Sequence, residues 1–461
     1  MASKVALERA LSVALTTGGD FAEIFWEDTR KTRMNLIDGK IENCVAGREH
    51  GAGVRVYREL ESAYVYTNDT SEAGLCAAAR AAADAIGAQK GAQRPVSLVR
   101  GVATNVHAIR EMPMDVPGSA KAKLLHEAYA AAKSASPLIA QVSAQVMDRE
   151  TDVIIANSEG LMVADKRVYS RMGINAVASE NGENQTGFIG PGAQRGFEFF
   201  REGIDVEAAA RSAAQTALTM LRAEHCPAGT MPVIIDGGFG GVIFHEACGH
   251  SLEATSVAFG NSEFSGKLGE KIASDCVTAI DDGTIPGEWG SINIDDEGTP
   301  STRLVLIENG VLKNYMIDRL NSRRMHMPIT GSARRESYCY APTSRMRNTF
   351  IAPGNDDEAE IIRTAGDALY AKQMGGGSVN PATGEFNFSV AEGYLIRDGK
   401  IDRPVRGATL IGKGGEVLKR IDRVGRKMWM AQGMCGSQSG SVCVNVGQPM
   451  IRVTSITVGG R

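Results

Sequence analysis

A six-residue stretch near the middle of the chain, HEACGH, places His245 and His250 five positions apart. The residues before it, MPVIIDGGFGGVIF, predict a short buried strand, a glycine-rich turn and a helix that begins at Val242. On a regular α-helix, residues five apart point about 140° away from each other. A one-residue bulge with i→i+5 hydrogen bonds returns them to one face, and Gly249 lowers the cost of that distortion. The spacing therefore predicts a helix that is widened or broken at the motif.

The residue types in this stretch are those of a metal site. In the related pattern H-E-x-x-H, two histidines one turn apart hold zinc and the glutamate acts as general base. Catalytic zinc needs a third protein ligand and one open position. Spacing alone leaves that ligand open between Glu253 and a cysteine, of which Cys248 lies inside the motif and Cys435 lies in a glycine-rich bend between strands. The alternative is a chance pairing of two of the seven histidines.

Composition excludes several classes of protein. A net charge of −4 and a pI near 6.1 leave no basic footprint for nucleic acid or an anionic membrane. Charged residues interrupt the apolar residues of the first segment, MASKVALERALSVALTTGGD, so we expect no signal peptide. No apolar run approaches the roughly 18 residues of a membrane span. Eight scattered cysteines without a C-x-x-C pair fit reduced thiols, so we expect a cytoplasmic protein.

Hydrophobic patterning predicts a mixed α+β chain. Short alternating runs separated by turn residues predict strands between 21 and 67 and between 138 and 200, with Asp38-Gly39 as a hairpin turn. Four segments have the apolar spacing or the alanine content of helices: 4–17, 71–88, 118–135 and 205–223.

A change in composition marks the domain boundary. The segment AEHCPAGTMP, at 223–232, brings two prolines and a glycine, and beyond it glycine is dense and strand-like runs dominate. A chain of 461 residues is also longer than one ordinary domain. We therefore predict two domains: residues 1–223, with helices over antiparallel sheets, and residues 224–461, mostly β and carrying the motif helix.

Beyond these local signals, the chain resembles the TldD/PmbA family of zinc-dependent peptidases, also described as modulators of DNA gyrase. The resemblance is close from about 227 to 460 and looser in the N-terminal half, where FAEIFWED, LIDGKIENC and GAGVRVYRE carry it. The closer stretches, in chain order, are PAGTMPVIID, HEACGHSLEA, FSGKLGE, DDGTIPGEWGS, INIDDEGTPSTRLVLIENGVLKNYM, GSARRESY, GGGSVNPATGEF, GATLIGKG and CGSQSGSVCVNVGQPMIRVTSITVGG.

This resemblance implies one zinc ion per chain, bound by His245, His250 and Cys435, with Glu246 in the place of the family's catalytic glutamate. It also implies a two-domain α+β chain that dimerises around an internal cavity and cleaves peptides and unfolded segments. The family's paired subunit, TldE or PmbA, lacks the H-E-x-x-x-H motif. Because this chain keeps the motif, it resembles the catalytic subunit. The expected partner is a second copy or a TldE/PmbA-like paralogue.

Under that interpretation, water bound to zinc is the nucleophile and Glu246 is its general base. Glu253 could orient a ligand histidine, or could be a solvated helix residue. Gly375, Gly376 and Gly377 could present bare backbone to a peptide lying as an added strand, or could form a plain flexible turn. A rival hypothesis is a non-catalytic binding or regulatory subunit with a structural metal site, which would be fully coordinated by protein.

Overall fold

The computed structural model describes residues 2–87, 94–380 and 382–460. Within these ranges the fold is α+β, as predicted. The helices are α1 Lys4–Ala14, α2 Glu72–Ile86, α3 Gly118–Lys133, α4 Phe199–Glu202, α5 Val206–Leu221, α6 Val242–Phe244, α7 Ala254–Val257, α8 Arg319–Met325, α9 Glu358–Arg363 and α10 Gly414–Lys419. The four helices predicted in the N-terminal half are present, and each ends two or three residues earlier than its sequence pattern.

The strands fall into two groups along the chain. Those before residue 200 are β1 Phe21–Ile37, β2 Lys40–Arg58, β3 Glu61–Thr67, β4 Val99–Val102, β5 Ile139–Asn157, β6 Leu161–Glu180, β7 Glu183–Ile189 and β8 Gly192–Ala193. Those after it are β9 Glu224–His225, β10 Gly229–Ile235, β11 Ala279–Asp282, β12 Arg303–Glu308, β13 Val311–Leu312, β14 Ala333–Arg334, β15 Thr343–Ser344, β16 Asn348–Ile351, β17 Ala368–Asn380, β18 Glu385–Arg397, β19 Lys400–Arg406, β20 Thr409–Lys413, β21 Ile421–Val424, β22 Trp429–Ser437, β23 Gly440–Gln448 and β24 Ile451–Gly459.

The first sheet contains all strands of the first group, in the order β3-β2-β1-β5-β6-β4, with β7 and β8 also paired to β6. Its long β1–β2 hairpin turns at Asp38 and Gly39, whose φ angles are +46° and +80°. Two positive φ angles match the twist of a tight hairpin, which explains the Asp-Gly pair. The predicted hairpin turn is therefore confirmed.

The two faces of the first sheet have different neighbours. Even-numbered residues of β1, such as Ile24, Trp26 and Leu36, pack beneath the alanine-rich helices. Because side chains alternate along a strand, odd-numbered residues face the other way. There the guanidinium of Arg335 lies 4.3 Å from the centre of the Phe25 ring and 3.3 Å from a Glu23 carboxylate oxygen. The C-terminal half of the chain thus packs on the odd-numbered face near the start of β1.

The C-terminal half is built on two larger sheets. In the second sheet, strands β17, β10, β24, β20 and β18 pair in turn, and β18 pairs again with β17, so these five strands close into a ring. The third sheet has the order β13-β12-β11-β16-β23-β22, which leaves β22 at its end. The boundary predicted between residues 223 and 224 falls between α5 and β9, and it stays a prediction. In the described ranges, no helix has the length and apolar character that crossing a membrane requires.

Candidate metal centre

The HEACGH motif lies on a widened helix. After α6, residues His245–Gly249 form a π-helical turn, and His250–Leu252 continue as a 3₁₀ turn. The backbone N–H of His250 donates to the carbonyl of His245, the i→i+5 bond expected from the spacing. The two imidazole rings lie on one face, with centroids 5.1 Å apart and planes at 85°. The predicted distortion is confirmed.

Glycines in this region serve close packing. Gly249 has a right-handed helical φ of −56°, so conformational freedom does not explain its presence and that part of the prediction is wrong. A Cβ at Gly249 would lie 2.2 Å from the sulfur of buried Met346. At Gly241 a Cβ would lie 2.5 Å from the backbone nitrogen of Gly447 in β23. The glycines therefore let the motif helix approach the third sheet at backbone distance.

Cys435 on β22 completes a three-residue cluster. Its sulfur lies 3.4 Å from Nε2 of His245 and 3.2 Å from Nε2 of His250. Zinc bonds of about 2.0–2.1 Å to nitrogen and about 2.3 Å to sulfur place such donor atoms about 3.3–3.6 Å apart. Within the described residues, these three form the group of metal-ligating side chains close enough to share an ion. Cys248 is instead fully buried in the hydrophobic core.

The donors of this cluster suit a metal in their charge as well as their spacing. Burial alone would raise the pKa of the Cys435 thiol, but the charges of the two imidazoles and their hydrogen bonds lower it to about 5. The thiolate is the form that binds a metal ion. Two imidazoles and one thiolate are a donor set typical of zinc, and three protein ligands leave a position for substrate or water.

Glu253 is buried and hydrogen-bonded, so the solvated alternative is wrong. Its Oε2 lies 3.0 Å from Nδ1 of His250, and its Oε1 accepts from the backbone N–H of Met346 at 3.3 Å. Burial opposes ionisation, yet the charge of His250 and its hydrogen bond lower the pKa of Glu253. A carboxylate on Nδ1 leaves Nε2 as the ligand atom and fixes the plane of the ring. With Nδ1 held by Glu253, Nε2 of His250 faces Cys435.

Glu246 occupies the solvent side of the cluster. Its side chain is 26% exposed, and Oε2 lies 3.7 Å from Nε2 of His250. By contrast His245 is only 2% exposed, and its Nδ1 has no hydrogen-bond partner among the described residues. The arrangement therefore combines buried His245 and Cys435 with a partly exposed His250 and a carboxylate that solvent can reach.

Arg345, which contacts both the backbone of Cys435 and the side chain of Glu253, was not predicted from the sequence. This fully buried side chain donates to the carbonyl of Cys435, to the carbonyl of Gly440 at 2.9 Å and to Oγ of Ser439 at 3.0 Å. Its Nε lies 3.8 Å from Oε1 of Glu253. The only local signal is the run SRMRNTF, in which basic residues alternate with Met346 and Asn348 in a strand-like stretch.

The three consecutive glycines lie on β17 and are not part of the three-residue cluster. Gly375, Gly376 and Gly377 belong to the irregular middle of β17, where its pairing with β18 shifts register, so the alternative of a plain turn is wrong. Gly375 and Gly376 line a cavity of about 470 Å³ together with residues of β22 such as Gln432. Their role in binding a peptide stays a prediction.

Comparison with known proteins gives matches along most of the chain. Family models of the PmbA/TldA metallopeptidases match the chain in three parts: domain 1 over residues 22–86, the central domain over 112–221 and the C-terminal domain over 228–460. A metalloprotease TldD homolog of Haemophilus influenzae is 36% identical over 96% of this chain and 93% of its own length. A metalloprotease of Methanothermobacter thermautotrophicus is 33% identical over 96% of both chains.

Solved structures share the fold at lower identity. The crystal structure of TldE from Thermococcus kodakarensis superimposes with a TM-score of 0.76 at 19% identity, over 100% of both chains. A Thermotoga maritima protein named as a modulator of a DNA gyrase gives 0.78 at 19% identity, over 95% of this chain and 96% of its own. The family models and the full-length relatives together show that this chain belongs to the TldD/PmbA metallopeptidase family.

Proposed function

We propose that the chain is a zinc metallopeptidase that cleaves extended peptides or unfolded polypeptide segments. The observation that carries this proposal is the convergence of His245, His250 and Cys435 beside the accessible carboxylate of Glu246. The curated relatives are named metalloproteases, which supports the same reaction class. Zinc is the metal we infer, at one ion per chain, because two imidazoles and a thiolate are a donor set it prefers.

Each residue of the centre has a defined part in this proposal. When bound, zinc would polarise the scissile carbonyl and acidify a water molecule. Glu246 takes the proton of the attacking water and passes it to the leaving amine, for which its partial exposure and its place beside His250 are suited. Glu253 holds the His250 ring, and Arg345 holds the backbone of Cys435.

We further infer that the site works inside a dimer cavity in the cytoplasm. The partner is a second copy or a motif-lacking paralogue of the TldE/PmbA type. The rival hypothesis, a non-catalytic subunit with a structural metal, fits less well. A structural site is closed, whereas Glu246 and His250 both retain exposure, 26% and 13% of their side chains.

The test is the Glu246→Gln variant of the full chain, beside a matched variant, Glu416→Gln, of an exposed glutamate on α10. Zinc per chain is measured by elemental mass spectrometry, and turnover with a quenched fluorescent peptide. We expect Glu246→Gln to keep its zinc and lose roughly a thousandfold or more in kcat. Near-normal turnover in that variant would overturn the assignment of the base. Absence of zinc from the wild-type chain after metal reconstitution would overturn the metal.

A further inference from the structure

Four basic side chains share the odd-numbered face of the first sheet. In the β1–β5 pairing Lys31 lies opposite Arg149 and Arg33 lies opposite Met147, and in the β5–β6 pairing Met147 lies opposite Arg171. Residues directly opposite each other in adjacent strands point to the same side of a sheet. Lys31, Arg33, Arg149 and Arg171 therefore form one basic cluster across three strands.

This basic cluster is poorly neutralised by the protein itself. Lys31 contacts Glu49 at 2.6 Å, but in the described part of the chain none of the three arginines forms an ion pair. Arg149 instead lies 4.7 Å over the ring of Tyr169, and Arg171 lies 5.3 Å over the ring of Trp289. Burial lowers the pKa of the Arg171 guanidinium, whereas burial of Arg149 is outweighed by the nearby Cys443, Tyr169 and Glu27 side chains, which raise its pKa.

Like charges placed opposite each other across strands are destabilising. Arg149 and Lys31 are such a pair, and Arg149 is also partly buried. Arg149 donates to Sγ of Cys443 at 3.5 Å, and Arg171 donates to the carbonyls of Gly190 and Gln432 at 3.3 and 3.4 Å. None of these acceptors is a carboxylate, so the remaining guanidinium N–H groups can bind an anion from outside.

The basic cluster lines a cavity of about 620 Å³ between the first sheet and the β22–β23 hairpin. Its other walls are largely apolar, with Met147, Tyr169, Trp289 and Met434. The acidic side chain in its lining, Asp148, forms a 2.7 Å ion pair with Lys121. Apolar walls with unpaired guanidinium groups match a carboxylate carried on a peptide.

The cavity lies next to the metal centre but on the other face of its hairpin. Met434 lines the cavity, and Cys435 is the next residue along β22, with its sulfur facing the two histidines. Consecutive strand residues point to opposite faces, and β22 is the last strand of its sheet. An extended peptide advances about 3.3 Å per residue, so roughly two to four residues suffice to pass around this strand.

We propose that this cavity binds a carboxylate of the peptide, either an acidic side chain or the chain terminus, about two to four residues from the scissile bond. The proposal rests on the proposed peptidase function for its choice of ligand. It makes peptides with a negative charge near the cleavage point the substrate class. The basic side chains of the cavity all come from the N-terminal sheet, so the proposal gives that half of the chain a part in substrate selection.

The experiment measures peptide binding separately from cleavage. Four labelled decapeptides are prepared. Two carry internal glutamates and two carry glutamines at the same positions, and each sequence is made with a free and with an amidated C-terminus. Binding is followed by fluorescence anisotropy to the full-length Glu246→Gln protein at low salt. Arg33 is the first residue to change, because it is exposed and makes no ion pair, so Arg33→Gln leaves internal contacts intact. The control is Arg48→Gln, on the same β1–β2 hairpin but outside the cavity lining, which removes an exposed ion pair with Asp28 and no side chain of the cavity.

We expect the carboxylate forms to bind about tenfold more tightly than their neutral counterparts, since a charge-assisted hydrogen bond stabilises by that order. Arg33→Gln should reduce the preference severalfold, and Arg33→Gln/Arg149→Gln should abolish it, with little change for the neutral peptide. Arg48→Gln should keep it. The glutamate–glutamine comparison shows whether an internal carboxylate is bound, and the comparison of free with amidated C-termini shows whether the terminal carboxylate is bound. Equal affinity for all four peptides, no binding of any, or a preference that survives in a folded double variant would overturn the proposal.

Failure of this proposal is distinguishable from failure of the proposed function. If wild-type protein binds the acidic peptide selectively but cleaves nothing, the carboxylate-binding proposal is supported and the peptidase proposal is refuted. If it cleaves charged and neutral peptides with equal kcat/KM and binds them equally, the peptidase proposal is supported and the carboxylate-binding proposal is refuted. Thermal unfolding of each variant shows whether it has folded.

Discussion

His250 donates a hydrogen bond from Nδ1 to Oε2 of Glu253 over 3.0 Å, and the acceptor is 4% exposed. This contact turns the opposite ring nitrogen towards Cys435. We therefore expect Glu253→Gln to weaken zinc binding about 10- to 100-fold while the chain still folds, because the remaining amide oxygen is a poorer acceptor. A chelator competition titration measures the change. Glu246→Gln, which leaves Nδ1 untouched, should bind zinc normally. An unchanged zinc affinity in Glu253→Gln would show that packing alone orients the ring.

Removal of the thiolate tests the third ligand. Cys435→Ala should contain far less zinc than the wild-type chain, for which we expect about one ion, because only two of the three donors remain. Elemental mass spectrometry of both proteins gives the stoichiometry. Cys248→Ala is the matched control, since that thiol lies in the core outside the cluster. A full complement of zinc in Cys435→Ala would show that another residue is the third ligand.

Arg345 links stability to metal binding. Arg345→Met removes donors from two buried acceptors, on Cys435 and Ser439, and from the partly buried carbonyl of Gly440. We therefore expect a loss of about 3–5 kcal/mol in the free energy of unfolding and a lower zinc affinity. Arg347→Met provides the comparison, because Arg347 is equally buried but pairs with Asp281 at 2.8 Å. Both variants should unfold at lower urea concentration, but only Arg345→Met should weaken zinc binding. If the two lose zinc alike, the effect of Arg345 is general destabilisation.

Gly241 sets the distance between the motif helix and β23. A Cβ there would lie 2.5–2.6 Å from backbone atoms of Gly447, which cannot move aside as a side-chain end can. We expect Gly241→Ala to reduce the free energy of unfolding by about 3 kcal/mol. Gly376→Ala, with no atom within 4 Å of its Cβ, should be near neutral. Chemical denaturation compares them, and equal stability of the two would contradict the close approach.

Asp295 makes the stability of the folded chain fall as pH rises, the opposite of the usual effect of a carboxyl group. Burial raises its pKa to about 7 from 3.8, although three backbone N–H groups favour its ionised form. Between about pH 4 and 7 the folded chain therefore holds a proton that the unfolded chain has lost, so the contribution of this group to stability falls as pH rises. Asp295→Asn cannot titrate. We expect the stability of the wild type relative to this variant to decline across that window in denaturation at several pH values. Parallel curves would refute the shift.

Several features of the fold and of the centre could be predicted because they depend on neighbouring residues. The five-residue spacing of His245 and His250 predicts the π-helical turn, since only that geometry brings both rings to one face. Asp38-Gly39 predicts a tight hairpin for an equally local reason. The alanine-rich helices were recognisable by composition, although their ends lie two or three residues inside the patterns. Local backbone geometry is encoded within a few residues.

By itself, then, the sequence determined the helix distortion, the α+β composition and the family, and through the family it named Cys435. Tertiary structure alone decided that Glu253 is buried against His250, that Arg345 reaches Cys435 and that Arg33, Arg149 and Arg171 share a cavity. The reason is physical. These contacts join residues far apart in the chain, and they depend on strand register and on how closely one sheet packs against another. A shift of one residue in register would move every side chain of a strand to the other face.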